Sequence, residues 1–330
     1  MVNARGKKIL VTGAGGFIGS HLVELLIESG AEVTAFVRYT SSGKAGHLDQ
    51  LTSDKRQSPK IIFGDIRDRD DVRRAVSGND IVIHLAAQIA IPYSYIAPGD
   101  FMSVNTVGTL NILSATREFE VKRVVQLSTS EVFGSAQYIP IDENHPQVAQ
   151  SPYAASKIAA DKLAESFYLS FGTPVVIARP FNTYGPRQST RAVIPTIILQ
   201  ALRGKTIKLG ATDTRRDLNY VTDTALALAK IALSGKGVGG QFNIATGKDY
   251  SVAEIVKIVG DTLGKKLVVK SEKRRVRPPK SEVVRLVGNG SLANMTFGLG
   301  SRTDLRTGLE RTIAYFETNI DNFSIEDYQV

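Results

Sequence analysis

The segment Val11-Thr-Gly-Ala-Gly-Gly-Phe-Ile-Gly-Ser-His-Leu22 constrains the fold more than any other. Before it, Lys8–Thr12 has the apolar, β-branched pattern of a strand. After it, Phe17–Glu28 has the spacing of a helix. Gly13, Gly16 and Gly19 therefore fall three apart across a strand-to-helix turn, with Phe17 and Ile18 at the helix start. Glycine permits the tight turn and lets the backbone approach a pyrophosphate. The first helical turn then offers free N–H groups and the positive end of a dipole. In this context the turn reads as a dinucleotide-binding site.

The pattern continues along the chain. Strand patterns lie at Lys8–Thr12, Glu32–Val37, Lys60–Phe63, Asp80–Leu85, Arg123–Ser128 and Val175–Ala178. Helical patterns lie at Phe17–Glu28, Asp70–Val76, Asp100–Glu118 and Tyr153–Phe171. Continuously apolar strands alternating with helices predict an α/β fold, a Rossmann-like doubly wound parallel sheet covered on both faces. After Pro180 the pattern loosens. Pro186, Pro195, Pro278 and Pro279, with Gly235, Gly237, Gly239 and Gly240, cut the chain into short elements. The expected organisation is a dinucleotide-binding domain over residues 1–180, to which later segments return, and a smaller C-terminal substrate-binding lobe over 181–330.

The second strand of such a sheet normally ends in an acid that holds the adenine ribose. Here it reads EVTAFVRYTSS, with Val37 at that place and Arg38 after it. An arginine with Ser41 and Ser42 nearby suits a 2′-phosphate, so the coenzyme reading leans to NADP, with NAD kept open. Asp65 and Ile66, after the third strand, are placed to flank the adenine. Leu85, Ala86 and Ala87, after the fourth, are placed along the pyrophosphate and ribose.

Several classes are excluded. The chain has no cysteine, hence no disulfide, thiolate metal site or cysteine nucleophile. His21, His47, His84 and His145 show no metal-ligand spacing, and no metal site is expected. His84, in the apolar run IVIHLAA, reads as a packed strand residue. No apolar run reaches membrane-span length, and the N-terminus MVNARGKK has no signal-like apolar region, so a cytoplasmic protein is expected. The net charge is +9, with Lys265, Lys266, Lys270, Lys273, Arg274, Arg275, Arg277 and Lys280 in one stretch. No nucleic-acid-binding motif accompanies them. A solvated face or a rim that attracts phosphates is the expectation.

Two segments carry chemistry. In Ser151-Pro-Tyr-Ala-Ala-Ser-Lys157, Tyr153 and Lys157 project from one helical face. A phenol is a weak base at neutral pH, and a neighbouring cation lowers its pKa. In LSTSEVFG, at the carboxyl end of the fifth strand, Thr129 and Ser130 precede the carboxylate of Glu131. Ligands of open parallel sheets bind at that edge. A hydroxyl followed by a carboxylate suggests more than hydride transfer.

Together, TGAGGFIG, GDIRD, HLAA, STSEVFG, YAASK, RPFNTYGPRQ and RRDLNYVTD resemble the extended short-chain dehydrogenase/reductase family, the NAD-dependent epimerases and dehydratases, from Lys8 to about Phe316. STSE with IPYSY and PFNTYGPRQ is most similar to nucleotide-sugar 4,6-dehydratases of the legionaminic-acid type. FVRYTSS and the Thr-Ser-Glu triplet are also similar to GDP-mannose 4,6-dehydratases. The resemblance implies a nucleotide-diphosphate sugar as substrate, with Asn182 and Arg216 on the diphosphate and Arg187 and Arg277 as further contacts. It implies a homodimer joined through a four-helix bundle of Asp100–Glu118 and Tyr153–Phe171. It implies that Thr129 binds the oxygen at sugar carbon 4, that Tyr153 takes its proton, that Lys157 holds the nicotinamide ribose, and that Glu131 takes the carbon 5 hydrogen. Ser130 departs from the aspartate of dTDP-glucose dehydratases, which leaves the proton donor to the departing hydroxyl to Glu131 or a water. Phe133 departs from the usual tyrosine. A UDP-glucuronate decarboxylase, a 4-epimerase and a non-catalytic NADP-binding sensor are the alternatives; sensors tend to lose the tyrosine–lysine pair kept here.

Overall fold

The computed structural model describes residues 2–51, 58–272 and 278–323. The first half supplies strands β1 (Lys8–Thr12), β2 (Glu32–Arg38), β3 (Lys60–Gly64), β4 (Ile81–His84), β5 (Arg123–Leu127) and β6 (Val175–Pro180). The second half adds β7 (Asn182–Tyr184), β8 (Thr206–Leu209), β9 (Arg215–Tyr220), β10 (Gln241–Ile244), β11 (Asp249–Ser251), β12 (Val268–Ser271) and β13 (Arg285–Leu286). A seven-stranded sheet runs β3-β2-β1-β4-β5-β6-β10, every neighbouring pair parallel. The winding reverses between β1 and β4, which opens a crevice at the carboxyl ends of the strands.

Ile9 and Val11 of β1 pack on one face with Ile83, Val125 and the helices α1 (Phe17–Glu28) and α8 (Val221–Leu233). Leu10 points the other way, into a core with Val82, Val124, Val72 of α2 (Arg69–Val76), Ile112 and Leu113 of α5 (Gly108–Glu118), and Ala164 of α6 (Pro152–Phe171). Successive side chains of a strand alternate faces, and both faces here are buried, so the strands read as unbroken apolar runs.

Two short helices, α3 (Ile91–Ser94) and α4 (Pro98–Phe101), precede α5. The single helix expected over Asp100–Glu118 differs in detail. The structure has the end of α4, a π-helical stretch Met102–Val107, and then α5. A separate core joins α7 (Val193–Arg203), α9 (Val252–Thr262) and α11 (Leu305–Thr318) to β8 and β9 through Ile197, Ile207, Leu218, Val259, Leu309 and Phe316. There β9 pairs with β7, β11 and β13, and β8 pairs with β12. The helix α10 (Ser291–Phe297) packs back near β10. Of the basic stretch, Lys266, Lys270 and Lys280 are exposed. Lys265 instead donates to the carbonyls of Ala201 and Leu202 at the end of α7, at 2.8 and 3.2 Å. No described helix is long and apolar enough to cross a membrane.

Candidate active site at the carboxyl edge of the sheet

The residues singled out in the first half fall on the carboxyl edge of the large sheet, because each follows a strand. Gly13 follows β1 at φ +68°, and a Cβ there would lie 2.8 Å from the Ala86 nitrogen after β4. The turn after β1 and the backbone after β4 therefore touch, and only glycine fits between them. The Thr12 hydroxyl accepts from the N–H groups of Leu85 and Ala86 at 3.2 and 3.1 Å. It donates to His84 Nδ1 at 2.7 Å. Thr109 gives its own proton to the Asn105 carbonyl at 2.6 Å, so its oxygen is left to accept from His84 Nε2–H at 3.2 Å. His84 is thus a packed, neutral residue, as its apolar run suggested, and burial presses its pKa down to about 3.

Gly16 is the N-cap of α1 and supplies no side-chain cap. The N–H groups of Phe17, Ile18 and Gly19 open that helix, where a bound anion is favoured. A close-fitting glycine turn and an uncapped helix start suit a dinucleotide pyrophosphate. Val37 is 8% exposed and belongs to the core, so no acid stands there. Arg38 is exposed at the end of β2, and its charge helps hold the Asp65 carboxyl below its ordinary pKa, behind the hydrogen bonds from Arg67. Ser41 and Ser42 lie exposed in the following turn, where the Ser42 hydroxyl bonds Thr40 at 2.9 Å. Ile66 packs in the core against Gly108, and Asn111 binds its carbonyl at 3.1 Å.

On the other side of the crevice, Ser151 caps α6 by accepting from Ala154 N–H at 3.1 Å, and Pro152 occupies the first helical position. This fixes Tyr153 and Lys157 in the first turns. Tyr153 is buried beside Thr129. Burial pushes the phenol above its ordinary pKa; the Thr129 hydroxyl opposes this and the charge of Glu131 adds to it. The lowering expected from Lys157 does not overcome burial. Lys157 itself is buried and donates to the Leu127 carbonyl at 2.7 Å. Burial brings its pKa down to about 8, against the pull of Asp161. Thr129 is the N-cap of a short 3-10 turn, accepting from Glu131 N–H at 3.2 Å. Ser130 is 2% exposed and Glu131 is half-buried. Phe133 packs against Phe181 and His145.

In the second lobe β7 pairs with β9, Asn182 opposite Leu218, which sets Asn182 and Arg216 on neighbouring strands. Asn182 Oδ1 is buried without a hydrogen-bond partner. Arg216 donates to the Arg215 carbonyl at 3.0 Å and lies 3.6 Å from Glu282. Arg187 lies in the loop after β7. It has φ +66°, and both guanidinium nitrogens bond Glu24 of α1, at 2.7 and 2.8 Å. A bidentate carboxylate already uses the fork that a diphosphate needs. Arg277 lies outside the described residues.

Sequence reading missed Asn105. It is 1% exposed in the π-helical stretch, accepts from Gln88 N–H at 2.7 Å, and donates to the Gln88 carbonyl at 3.0 Å and Ser156 Oγ at 2.9 Å. It ties the segment after β4 to α6. A polar side chain on the inward face of the helix was the available signal, and π turns recur at functional sites. Asp161 and Arg179, an ion pair with each side chain 1% exposed, were missed as well.

Comparison with known proteins shows the family of the chain. A dTDP-glucose 4,6-dehydratase of Actinoplanes sp. is 31% identical over 324 residues, spanning 94% of this chain and 98% of that one. The structure of DesIV, a dTDP-glucose 4,6-dehydratase from Streptomyces venezuelae with NAD bound, superposes with a TM-score of 0.85 at 29% identity, covering 96% of this chain and 98% of that chain. A UDP-glucuronic acid 4-epimerase from Bacillus cereus, also holding NAD, gives 0.87 at 26% identity, covering 94% and 99%. The family model of GDP-mannose 4,6-dehydratase matches residues 10–312, and the chain belongs to that family.

Proposed function

We propose that this protein is a nicotinamide-dependent nucleotide-sugar 4,6-dehydratase that yields a 4-keto-6-deoxy sugar, of the type that resembles the legionaminic-acid enzymes. The observation that carries the reading is Glu131. It stands two residues from Thr129 and close enough to Tyr153 for its charge to act on the phenol. A bound nicotinamide would accept the hydride of sugar carbon 4 and later return it to carbon 6. Thr129 holds the oxygen at carbon 4, and Tyr153 takes its proton. Oxidation of carbon 4 acidifies the hydrogen on carbon 5. Glu131 takes that hydrogen as a proton and returns it to the hydroxyl leaving carbon 6, a role that Ser130 cannot fill; as hydride returns to carbon 6, carbon 5 takes a proton from solvent. Lys157 positions the nicotinamide ribose, and Asn182 and Arg216 bind the diphosphate. Arg38, with Ser41 and Ser42, supports NADP as the preferred coenzyme, and the absence of an acid at Val37 points the same way. The exposed apolar side chains of Met102, Val107 and Leu110 near α5, and of Leu169 and Phe171 on α6, support a homodimer through these helices.

The test is incubation with UDP-, GDP-, dTDP- and CDP-sugars, with mass detection of water loss. Glu131→Gln is expected to reduce bound coenzyme yet release a hundredfold to ten-thousandfold less product, as is typical for loss of a general base. Solvent deuterium should enter carbon 5 in the wild type only. Full turnover by the variant would favour a 4-epimerase, and carbon dioxide from UDP-glucuronate a decarboxylase.

A further inference from the structure

The strand end that carries Thr129 and the helix that carries Tyr153 meet in a register of three rungs. Tyr153 lies beside Thr129, whose hydroxyl acts on its phenol. Lys157 Nζ donates to the Leu127 carbonyl at 2.7 Å. Ser128 Oγ donates to Asp161 Oδ2 at 2.8 Å. Residues 153, 157 and 161 recur at every fourth position, so they share one face of α6. They meet three successive residues, 127 to 129. The proposed reaction uses the first two rungs and leaves the third unexplained.

That third rung is a buried charge cluster. Asp161 Oδ2 also receives Arg179 Nε at 3.1 Å and Nη2 at 3.0 Å. Arg179 extends from β6 and its guanidinium lies 5.3 Å from the centre of the Phe133 ring. Asp161 Oδ1 is buried with no hydrogen-bond partner. Burial pushes the Asp161 carboxyl up, while Arg179, Ser128 and Lys157 act to keep it ionised. A buried ion pair contributes little net stability compared with apolar packing of the same volume, so packing alone does not account for it.

We propose that Asp161 is a positioning residue for the oxidation step: it supplies the counter-charge of the Lys157 ammonium, and through Ser128 it sets where Thr129 meets Tyr153. The inference rests on the proposed function only in the first oxidation, which the epimerase and decarboxylase readings share. The charged and titratable groups around Lys157 support this assignment. His84 of β4 is neutral, and Tyr153 is a protonated phenol. Arg179 is held beyond Asp161 by the same carboxylate oxygen. Glu131 acts on Tyr153, and Asp161 is the acid that acts on Lys157.

The test begins without a substrate. Protein carrying isotope-labelled lysine is titrated by NMR, with the Lys157 signal assigned by its loss in Lys157→Met. The wild type is expected to titrate near pH 8. Asp161→Asn should lower that midpoint, because an opposite charge one helical turn away on the same face is removed, and Asp161→Glu should largely restore it. The paired variant Asp161→Asn with Arg179→Gln leaves no arginine charge without its carboxylate and should also lower the midpoint, which covers a single variant that does not fold. A folded variant of either kind with an unmoved midpoint overturns the counter-charge role. Ser128→Ala keeps every charge. Its Lys157 midpoint should stay near the wild-type value, while coenzyme reduction by dTDP-glucose or UDP-N-acetylglucosamine falls about tenfold, as expected when reacting groups are misplaced. Wild-type rates in Ser128→Ala overturn the register role. If neither sugar reduces coenzyme in the wild type, the substrate reading fails on those sugars. The register role is then read from the Thr129–Tyr153 separation in crystal structures of the wild type and Ser128→Ala, where an unchanged separation overturns it.

Discussion

Arg187 and Glu24 form a clamp between α1, behind the coenzyme turn, and the loop after β7, and its strength can be worked from the structure. Two guanidinium nitrogens reach the two carboxylate oxygens at 2.7 and 2.8 Å. The side chains are 15% and 32% exposed, so solvent screens the pair only in part. Charge-assisted hydrogen bonds contribute about 1.5–3 kcal/mol each. Ordering two long side chains costs up to about 2 kcal/mol each. The net coupling should be on the order of 1–2 kcal/mol. A neighbouring contact reinforces it: His21 Nε2–H donates to the Pro186 carbonyl at 3.0 Å. His47 N–H donates to the Gly15 carbonyl of the coenzyme turn at 3.0 Å. A double-mutant cycle of Glu24→Ala and Arg187→Ala, read by urea unfolding, should return that coupling. Calorimetry with UDP should show both single variants weakening the nucleotide by similar factors. Stabilities additive to within about 0.5 kcal/mol would refute the clamp. A loss of UDP binding confined to Arg187→Ala would return that arginine to direct contact with the diphosphate.

Gly13→Ala should destabilise the fold by at least about 2 kcal/mol and abolish measurable coenzyme binding in fluorescence titration, since left-handed geometry and a backbone overlap with Ala86 act together. Arg38→Ala should weaken NADP by about one to three kcal/mol and leave NAD nearly unchanged; equal effects on both would remove the phosphate-binding role. His84 is held neutral in the fold, with a pKa of about 3 against 6.5 in the unfolded chain. The unfolded chain therefore binds the extra proton between those values. The stabilisation is full above pH 6.5 and is lost as pH falls toward 3, by up to about 5 kcal/mol. Denaturant midpoints measured between pH 7 and 4 should show a slope one proton smaller in His84→Gln, and an unchanged slope would contradict the assignment.

The large sheet was legible because both of its faces are buried. Lys8–Thr12, Arg123–Leu127 and Val175–Pro180 each read as an apolar run that only a covered parallel strand explains. The coenzyme turn was legible because glycine is required by backbone contact, as at Gly13 against Ala86, and such a requirement shows in the sequence itself. Tyr153 and Lys157 were legible because helical spacing places them on one face, and Ser151 and Pro152 announce where that helix begins.

Polar partners across long separations were not legible. Nothing local to Arg187 points to Glu24, 163 positions earlier, and a guanidinium in a loop suits a diphosphate as well as a carboxylate. The same holds for Asp161. Its spacing from Lys157 marks the shared face, but its partners Ser128 and Arg179 come from two other strands. Those three elements, α6, β5 and β6, are the ones that hold Tyr153, Thr129 and the start of the Asn182 loop. The buried charges therefore sit where the helix and the two strands have to agree in register, and an apolar core would set that register less sharply than directional bonds do. A hydroxyl and a phenol must meet within hydrogen-bond reach for proton transfer. In this fold that requirement falls on residues that never touch the sugar.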